Sequence, residues 1–458
     1  MFSILTFWIE SVKRIARNLF NKISPNSANL QKILAKAIAG TFSIRLLNIG
    51  LAYIVSILLA RLLGADGYGS YIYALALVNF LKIPTMLGMN PLIIREVSAY
   101  QAREKWGLAK GIVRWTSWVI FLLSLLSAIV AGLLVWQFQS QLKVDSIAVI
   151  LVALISLPLA NLLKVKESQL HAFKHIVKAQ LPEVIIRPIL LISLLSILYF
   201  LFREQLDSTW AIGVYVLATG ICLIVISIVI DRVIPKQIVT AKPEYRPKFW
   251  LNEAFPMLLT GSMYLINNQT DTLMLGVLTN SASVGIYSIA NRGASLMNFV
   301  LSVFNVSLAP TIASLHAKGE KEKLQKIVTK SANLVLLSSL PIAVVLIFFG
   351  KWFLAMFGQE FVRGQTVLSI LCIGKLINAS TGAVALLLNM TGYQKYTFIG
   401  VAVSAVLNVI LNASLIPQWG AEGAATATAI STVVWNILLV IFVQQRLKIN
   451  MNPLSWRK

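Results

Sequence analysis

The amino-acid sequence predicts an all-α polytopic membrane protein with about twelve transmembrane helices in two six-helix bundles around a central cavity. Three observations predict this fold: apolar runs recur along the 458-residue chain, basic residues concentrate in alternate connections, and one short motif occurs twice. Only 12% of the residues are charged, about half the fraction in a typical soluble domain. Each apolar run of about 20 residues is long enough to cross a hydrocarbon layer of ~30 Å as a helix.

The connections between the apolar runs predict how the chain is oriented. If the N-terminus is cytoplasmic, the inner connections hold 31 of the 40 Lys and Arg residues and the outer ones hold five. The positive-inside rule therefore places both termini in the cytoplasm, on a multi-pass protein of the plasma (inner) membrane. The net charge of +23 follows from this topology, so we expect no nucleic-acid partner. The predicted spans are residues 36–63, 68–90, 115–138, 145–163, 182–202, 209–230, 253–278, 284–308, 328–349, 364–389, 394–416 and 421–445.

The first 35 residues predict a basic amphipathic segment at the inner membrane surface. Apolar residues between positions 2 and 23 share one helical face, and four basic residues lie elsewhere. Anionic headgroups attract such basic residues while the apolar face enters the acyl boundary. A mobile tail is the alternative interpretation of this segment.

A short motif indicates an internal duplication. "YGSYIYA" (68–74) and "VGIYSIA" (284–290) share Gly, Tyr and Ala at the same offsets, and each opens the second span of a six-span half. Six spans return the chain to the same side, so the halves are parallel repeats, an arrangement that favours transport through a site between two bundles. The predicted segments are an N-terminal bundle (36–230), a cytoplasmic linker (231–252), a C-terminal bundle (253–445) and a cytoplasmic tail (446–458).

Three stretches carry a resemblance to a known family. "LARLLGADGYGSYIYA" (59–74) resembles the junction after the first span of polysaccharide-export flippases. "DTLMLGVLTNSASVGIYSIANR" (271–292) is similar to the corresponding junction in their second half, and "LNVILNASLIPQWGAEGAATATAIS" (407–431) resembles the passage into their last span. On these motifs the chain resembles the Wzx-type polysaccharide and O-antigen flippases, within the multidrug/oligosaccharidyl-lipid/polysaccharide exporter superfamily.

The resemblance implies a transporter and not an enzyme. Its substrate would be an oligosaccharide joined through pyrophosphate to a polyprenyl lipid, moved to the outer leaflet by alternating access for O-antigen, capsule or exopolysaccharide synthesis. The implied partners are this substrate and membrane lipids, and the family's setting adds a polysaccharide polymerase and a chain-length regulator as candidates. Neither a metal nor a bound cofactor is expected.

Four cations inside predicted spans are candidates for binding the pyrophosphate: Arg45, Lys82, Arg292 and Lys375. A cation at the centre of a membrane helix costs roughly 2.5–3.5 kcal/mol, which favours a partner or a function. Arginine binds phosphate oxygens through two parallel hydrogen bonds, and lysine binds them as a point charge. Snorkelling to the inner surface is the alternative for Arg45 and Lys82, whereas Lys375 is too central for it.

Asp271 is the one acid deep within a predicted span, and two interpretations are open. An intramembrane carboxylate can bind H⁺ or Na⁺ and couple export to an ion gradient. Alternatively, Asp271 forms a structural ion pair with Arg292, which lies at a matching depth in the following span. Such pairing would hold the carboxylate ionised, which argues against a proton carrier.

Two other functions compete with export of a lipid-linked glycan. A drug or toxin extruder of the same superfamily should bury acids for a cationic substrate, yet this chain buries four cations against one acid. A membrane glycosyltransferase or polysaccharide polymerase would need paired acids or a large outer domain, and the sequence predicts neither. The charge pattern therefore favours transport of an anionic substrate.

Overall fold

The computed structural model describes residues 28–138, 147–201 and 207–449, which form helices without any β-strand in those ranges. Most of the predicted amphipathic segment (1–27) and most of the predicted tail (450–458) lie outside the described residues. The helices are α1 Ala28–Met86, α2 Met89–Ala102, α3 Trp106–Gln137, α4 Ile147–Ala172, α5 Ile176–Leu181, a π-helix Pro182–Ile186, α6 Arg187–Leu201, α7 Ser208–Val233, α8 Lys236–Thr240, α9 Pro247–Leu278, α10 Ser281–Ala294, α11 Leu296–Ala317, α12 Lys321–Ala355, a 3₁₀ helix Gln359–Gly364, α13 Gln365–Thr381, α14 Val384–Met390 and α15 Gln394–Leu447.

The chain divides into two units, Met1–Leu51 and Ala52–Lys458. In the first unit the structure describes the backbone from Ala28, as the beginning of α1, and side chains only from Leu46. The second unit contains the rest of α1 and all later helices.

The long helices account for the predicted spans. Within the described residues, seven helices are long and apolar enough to cross a membrane, and the bent pair α13–α14 makes an eighth. Three of the seven contain a residue with non-helical backbone angles, Gly64 in α1, Phe349 in α12 and Gly420 in α15. The glycine breaks divide the two longest helices, α1 and α15, so each of these supplies two spans. Adding α9 and the consecutive helices α10 and α11 gives twelve spans, as the sequence predicts.

The two breaks fall where glycine is needed. Gly64 has φ 66° and ψ −173°, and Gly420 has φ 54° and ψ −127°; both values lie outside the helical region. Positive φ carries little steric cost for a residue without a Cβ, so the chain can turn there between two helices. The glycines therefore set the junctions that the sequence predicts between the first two and the last two spans.

The connection between the fourth and fifth spans is shorter than predicted. The predicted spans leave residues 164–181 as an inner loop, but α4 continues to Ala172 and α5 begins at Ile176. Lys164 forms ion pairs with Glu167 and Glu183. The difference places Lys164 inside α4, close to Glu183 at the start of the fifth span.

The packing follows the two predicted halves. Helices α2, α3, α4 and α7 pack against one another, and α9, α12, α13 and α15 form a second packed set. The chain is thus a polytopic helical protein built from two bundles, and the side chains of the candidate site lie on these helices.

Candidate functional site

Asp271 on α9 is buried, with 5% of its surface exposed, and four side chains donate hydrogen bonds to its carboxylate. Tyr287 Oη donates to Oδ2 at 2.5 Å and Thr428 Oγ1 donates to the same oxygen at 2.6 Å. Oδ1 accepts from Asn408 Nδ2 at 3.1 Å and from Asn412 Nδ2 at 2.7 Å. Among the described residues the Asp271 carboxylate thus has four neutral hydrogen-bond donors and no ion pair.

The chain brings these donors together from α10 and from the two segments of α15. Tyr287 lies on α10, Asn408 and Asn412 lie one turn apart on α15, and Thr428 follows the break at Gly420. Asn412 Nδ2 also donates to Asn408 Oδ1 at 3.0 Å, so the two amides hold each other in place. Because α15 reverses direction at Gly420, residues on both sides of the break can reach the same carboxylate. We call Asp271, Tyr287, Asn408, Asn412 and Thr428 the Asp271 network.

Arg292 does not bind Asp271 in the structure. Its Nη1 donates to the carbonyl oxygen of Ala52 at 3.0 Å, and its own carbonyl oxygen accepts from Tyr53 Oη at 2.7 Å. The ion pair expected from their matching depths is therefore not formed, because each side chain has other partners. Arg292 lies in the last turn of α10, where the helix dipole also favours a positive charge. It joins α10 to α1.

Lys375 lies on α13, partly buried. Within the described part of the chain its Nζ has no hydrogen bond and no ion pair. Burial removes part of its hydration, and Asp271 is the charged group whose field acts on it. Since the four donors already occupy Asp271, the Lys375 ammonium is available to another anion.

Lys82 lies on α1, partly buried, and its Nζ donates to Asn79 Oδ1 at 2.8 Å. No carboxylate lies within ion-pair distance of it in the described residues, although the charges of Arg187, Glu183 and Lys164 act on it. Lys82 therefore belongs to a larger polar group in the N-terminal half. The remaining candidate, Arg45, has a side chain outside the described residues.

This polar group is centred on Glu183 in the π-helix. Arg187 Nη2 binds Glu183 Oε1 at 2.8 Å, and Lys164 Nζ binds Glu183 Oε2. Arg187 also lies over the ring of Tyr215, with its guanidinium carbon 5.4 Å from the ring centroid. We call Lys82, Lys164, Glu183, Arg187 and Tyr215 the Glu183 cluster. This cluster was not predicted, because Lys164 was expected in a loop, although the i, i+4 spacing of Glu183 and Arg187 is typical of a helical ion pair.

The two copies of the repeated motif contact each other. A Cβ at Gly69 would lie 3.0 Å from Gly285 N and closer still to the carbonyl oxygen of Ser281. A Cβ at Gly285 would in turn lie 3.2 Å from Gly69 N. Ser70 Oγ donates to Ser281 Oγ at 3.0 Å beside this contact. The glycines shared by the two motifs therefore let α1 and α10 approach backbone to backbone.

The described residues contain no group of three or more His, Cys, Asp or Glu side chains able to hold a metal ion. The described polar groups form two sets instead. In the Asp271 network one acid accepts hydrogen bonds from neutral donors, and in the Glu183 cluster cations outnumber the acid. Such an arrangement suits the binding of anions or of a small monovalent ion.

The chain matches the models of two protein families. The model of the family described as "Polysaccharide biosynthesis protein" matches residues 34–316, and that of the family described as "MatE" matches residues 256–414. Over 174 residues, 37% of its length, the chain is 32% identical to "Probable flippase AglR" of Haloferax volcanii. That match spans only 36% of the length of this relative.

Two solved structures share the fold over most of both chains. "Lipid II flippase MurJ, inward closed conformation" superimposes with a TM-score of 0.69 at 18% identity, covering 89% of this chain and 87% of that one. An inward-facing multidrug resistance MATE family transporter of the MOP superfamily gives a TM-score of 0.71 at 14% identity, covering 88% and 94%. These likenesses confirm the predicted fold class.

Proposed function

Because the chain belongs to the polysaccharide biosynthesis protein family, we propose that it is a flippase for a polyprenyl-pyrophosphate-linked oligosaccharide. It would move this lipid from the cytoplasmic to the outer leaflet of the plasma membrane for O-antigen, capsule or exopolysaccharide synthesis. The relative AglR carries the name of a flippase, which supports the same activity here. Contacts with a polymerase and a chain-length regulator remain predictions.

The proposal rests on one observation, that the Lys375 ammonium has no partner among the described residues. A partly buried ammonium on a membrane-spanning helix is costly unless an anion approaches it, and no described residue pairs with it. Lys82 in the other half has a neutral amide as its described partner. Two cations held without acids inside a membrane protein suit a substrate whose headgroup is a diphosphate.

The predicted orientation gives the transport a direction. With both termini in the cytoplasm, the contact between Gly69 and Gly285 lies at the outer end of the bundles. The halves also meet at the inner end, where a Cβ at Gly88 would lie 2.5 Å from Leu258 N. In the proposed cycle the inner contact opens to admit the lipid-linked oligosaccharide from the cytoplasmic side, and separation of the halves at the outer contact then releases it, as alternating access requires.

Asp271 is proposed as the coupling site. Its carboxylate is surrounded by oxygen-bearing side chains of Tyr287, Thr428 and two asparagines, and hard cations such as Na⁺ prefer oxygen ligands. Rotation of the Asn412 amide would direct a second oxygen towards the carboxylate, and its Oδ1 is buried without a described partner. Na⁺ is therefore the coupling ion that we propose for this network.

The test is transport by the purified full chain in proteoliposomes that contain a defined polyprenyl-pyrophosphate oligosaccharide. We expect Lys375→Ala to reduce the transport rate at least tenfold, and Lys375→Arg to retain more of it because the charge is kept. Lys351→Ala is the matched control, because this lysine is exposed at the end of α12. Transport by Lys375→Ala at the rate of this control would refute the proposed role.

Extrusion of cationic drugs is the second candidate, since the MatE family model matches residues 256–414. The same proteoliposomes discriminate between the two candidates. Efflux of a lipophilic cationic dye without movement of the lipid-linked oligosaccharide would favour the extruder and overturn the flippase proposal.

A further inference from the structure

The Glu183 cluster contains more positive charge than its acids neutralise. Lys164 is shared between Glu183 and Glu167, the second at 2.8 Å, while Arg187 pairs with Glu183 alone among the described residues. Lys82 adds a third cation without a described acidic partner. With Glu167 included, three cations therefore face two acids, and one positive charge remains for a ligand.

Glu183 binds the two cations in the way that a phosphate group would. One carboxylate oxygen accepts from the Arg187 guanidinium and the other accepts from the Lys164 ammonium. Phosphate oxygens use the same donors with similar geometry, so a diphosphate can replace the carboxylate without a new arrangement of donors. Arg187 also has support independent of Glu183, since it rests on the Tyr215 ring and its Nη1 lies 3.5 Å from Tyr215 Oη.

The cluster is accessible and its backbone is irregular. The side chains of Lys164, Glu183 and Arg187 are 37%, 26% and 17% exposed, so a ligand can reach them without local unfolding. Glu183 lies in a single π-helical turn, where Arg187 N and Cys222 Sγ both donate to the carbonyl oxygen of Pro182. Such turns are frequent at functional sites.

From these observations we infer that the Glu183 carboxylate competes with the substrate's diphosphate for Arg187 and Lys164. This carboxylate occupies Arg187 and Lys164 in the empty protein, and a diphosphate displaces it by binding these two side chains together with Lys82. The inference rests on the proposed function and adds to it a second anion site, in the N-terminal half of the chain, distinct from Lys375.

A competitor of this kind solves two problems of a membrane transporter. Cations without partners inside the membrane are costly, so an acid that neutralises them stabilises the empty state. The same acid lowers the affinity for the diphosphate, because the ligand must break existing ion pairs before it binds. Return of Glu183 to its cations would then help to release the product.

The experiment measures binding of inorganic pyrophosphate to the purified full chain by calorimetry. Glu183→Gln should bind pyrophosphate about tenfold more tightly, because the amide no longer competes for Arg187 and Lys164. Arg187→Gln should bind it at least tenfold more weakly. Glu320→Gln is the matched control, since Glu320 pairs at 2.7 Å with Lys323 outside the spans, and its affinity should equal that of the wild type.

Each outcome decides between the proposals. If Glu183→Gln binds pyrophosphate no more tightly than the wild type, and only its melting temperature falls, the cluster is structural and this inference is overturned. If Glu183→Gln binds pyrophosphate no more tightly but Lys375→Ala binds it more weakly, this inference fails and the proposed function stands. If neither the wild type nor Glu183→Gln binds pyrophosphate or a polyprenyl pyrophosphate, both proposals fail. Should Glu183→Gln not fold, unchanged affinity in Arg187→Gln would by itself overturn the inference.

Discussion

Adding one methyl group at Gly69 should separate the two copies of the repeated motif. In Gly69→Ala the new Cβ would lie closer than 3.0 Å to the carbonyl oxygen of Ser281, a distance that real Cβ atoms essentially never show, and 3.0 Å from Gly285 N. Both neighbours are backbone atoms, so α1 and α10 must move apart. Overpacking of this kind costs ~1–3 kcal/mol. Replacing a helical glycine by alanine returns only about 0.5–1 kcal/mol, so we expect net destabilisation.

The assay compares thermal unfolding of the purified protein in detergent with that of Gly213→Ala. Gly213 lies within α7, and a Cβ there would meet no atom within 4 Å. This control should therefore raise the melting temperature by the helix-propensity gain alone, whereas Gly69→Ala should lower it by several degrees. If both variants shift the melting temperature equally and in the same direction, the close contact between the two motifs is not present in the protein.

Two further predictions concern the outer contact and the coupling site. In Ser70→Cys/Ser281→Cys, where the two hydroxyl oxygens lie 3.0 Å apart, oxidation should form a disulfide that stops transport reversibly, as measured in proteoliposomes before and after reduction. Either single cysteine variant is the control, and full transport by the oxidised double variant would show that the contact need not open. Asp271→Asn should abolish the dependence of transport on a Na⁺ gradient, because the four donors lose the charged acceptor. Persistence of that dependence would assign coupling to another site, and Asp207→Asn, at the exposed N-cap of α7, is its control.

The sequence was sufficient to predict the fold because membrane helices are specified by length and polarity alone. Apolar runs of about 20 residues satisfy their own backbone hydrogen bonds, so each can be recognised without knowledge of its neighbours. The breaks at Gly64 and Gly420 could also be predicted, since both glycines lie between predicted spans. The end of α4 was not predicted, because Lys164, whose charge predicts a loop, lies within the helix and pairs with Glu167 and Glu183.

The contacts between the site residues could not be predicted from their depth along each helix alone. Asp271 and Arg292 lie at similar predicted depths, but whether two side chains meet also depends on how each helix is rotated and on which other groups compete. Arg292 donates to a backbone carbonyl oxygen on α1, and Asp271 accepts hydrogen bonds from four neutral donors. Neutral asparagine, threonine and tyrosine carry no charge signal, so their convergence on one acid is visible only in the folded chain.

The two halves of the chain stabilise buried charge in different ways. In the C-terminal half an acid is held by neutral donors, which leaves Lys375 without competition for an anion. In the N-terminal half Glu183 neutralises two cations, so an anion must displace an acid before it binds. A diphosphate would therefore meet little competition at Lys375 and direct competition at the Glu183 cluster. On the proposed function this difference would give the pathway a strong and a weak anion site, and transfer between unequal sites can favour both capture and release.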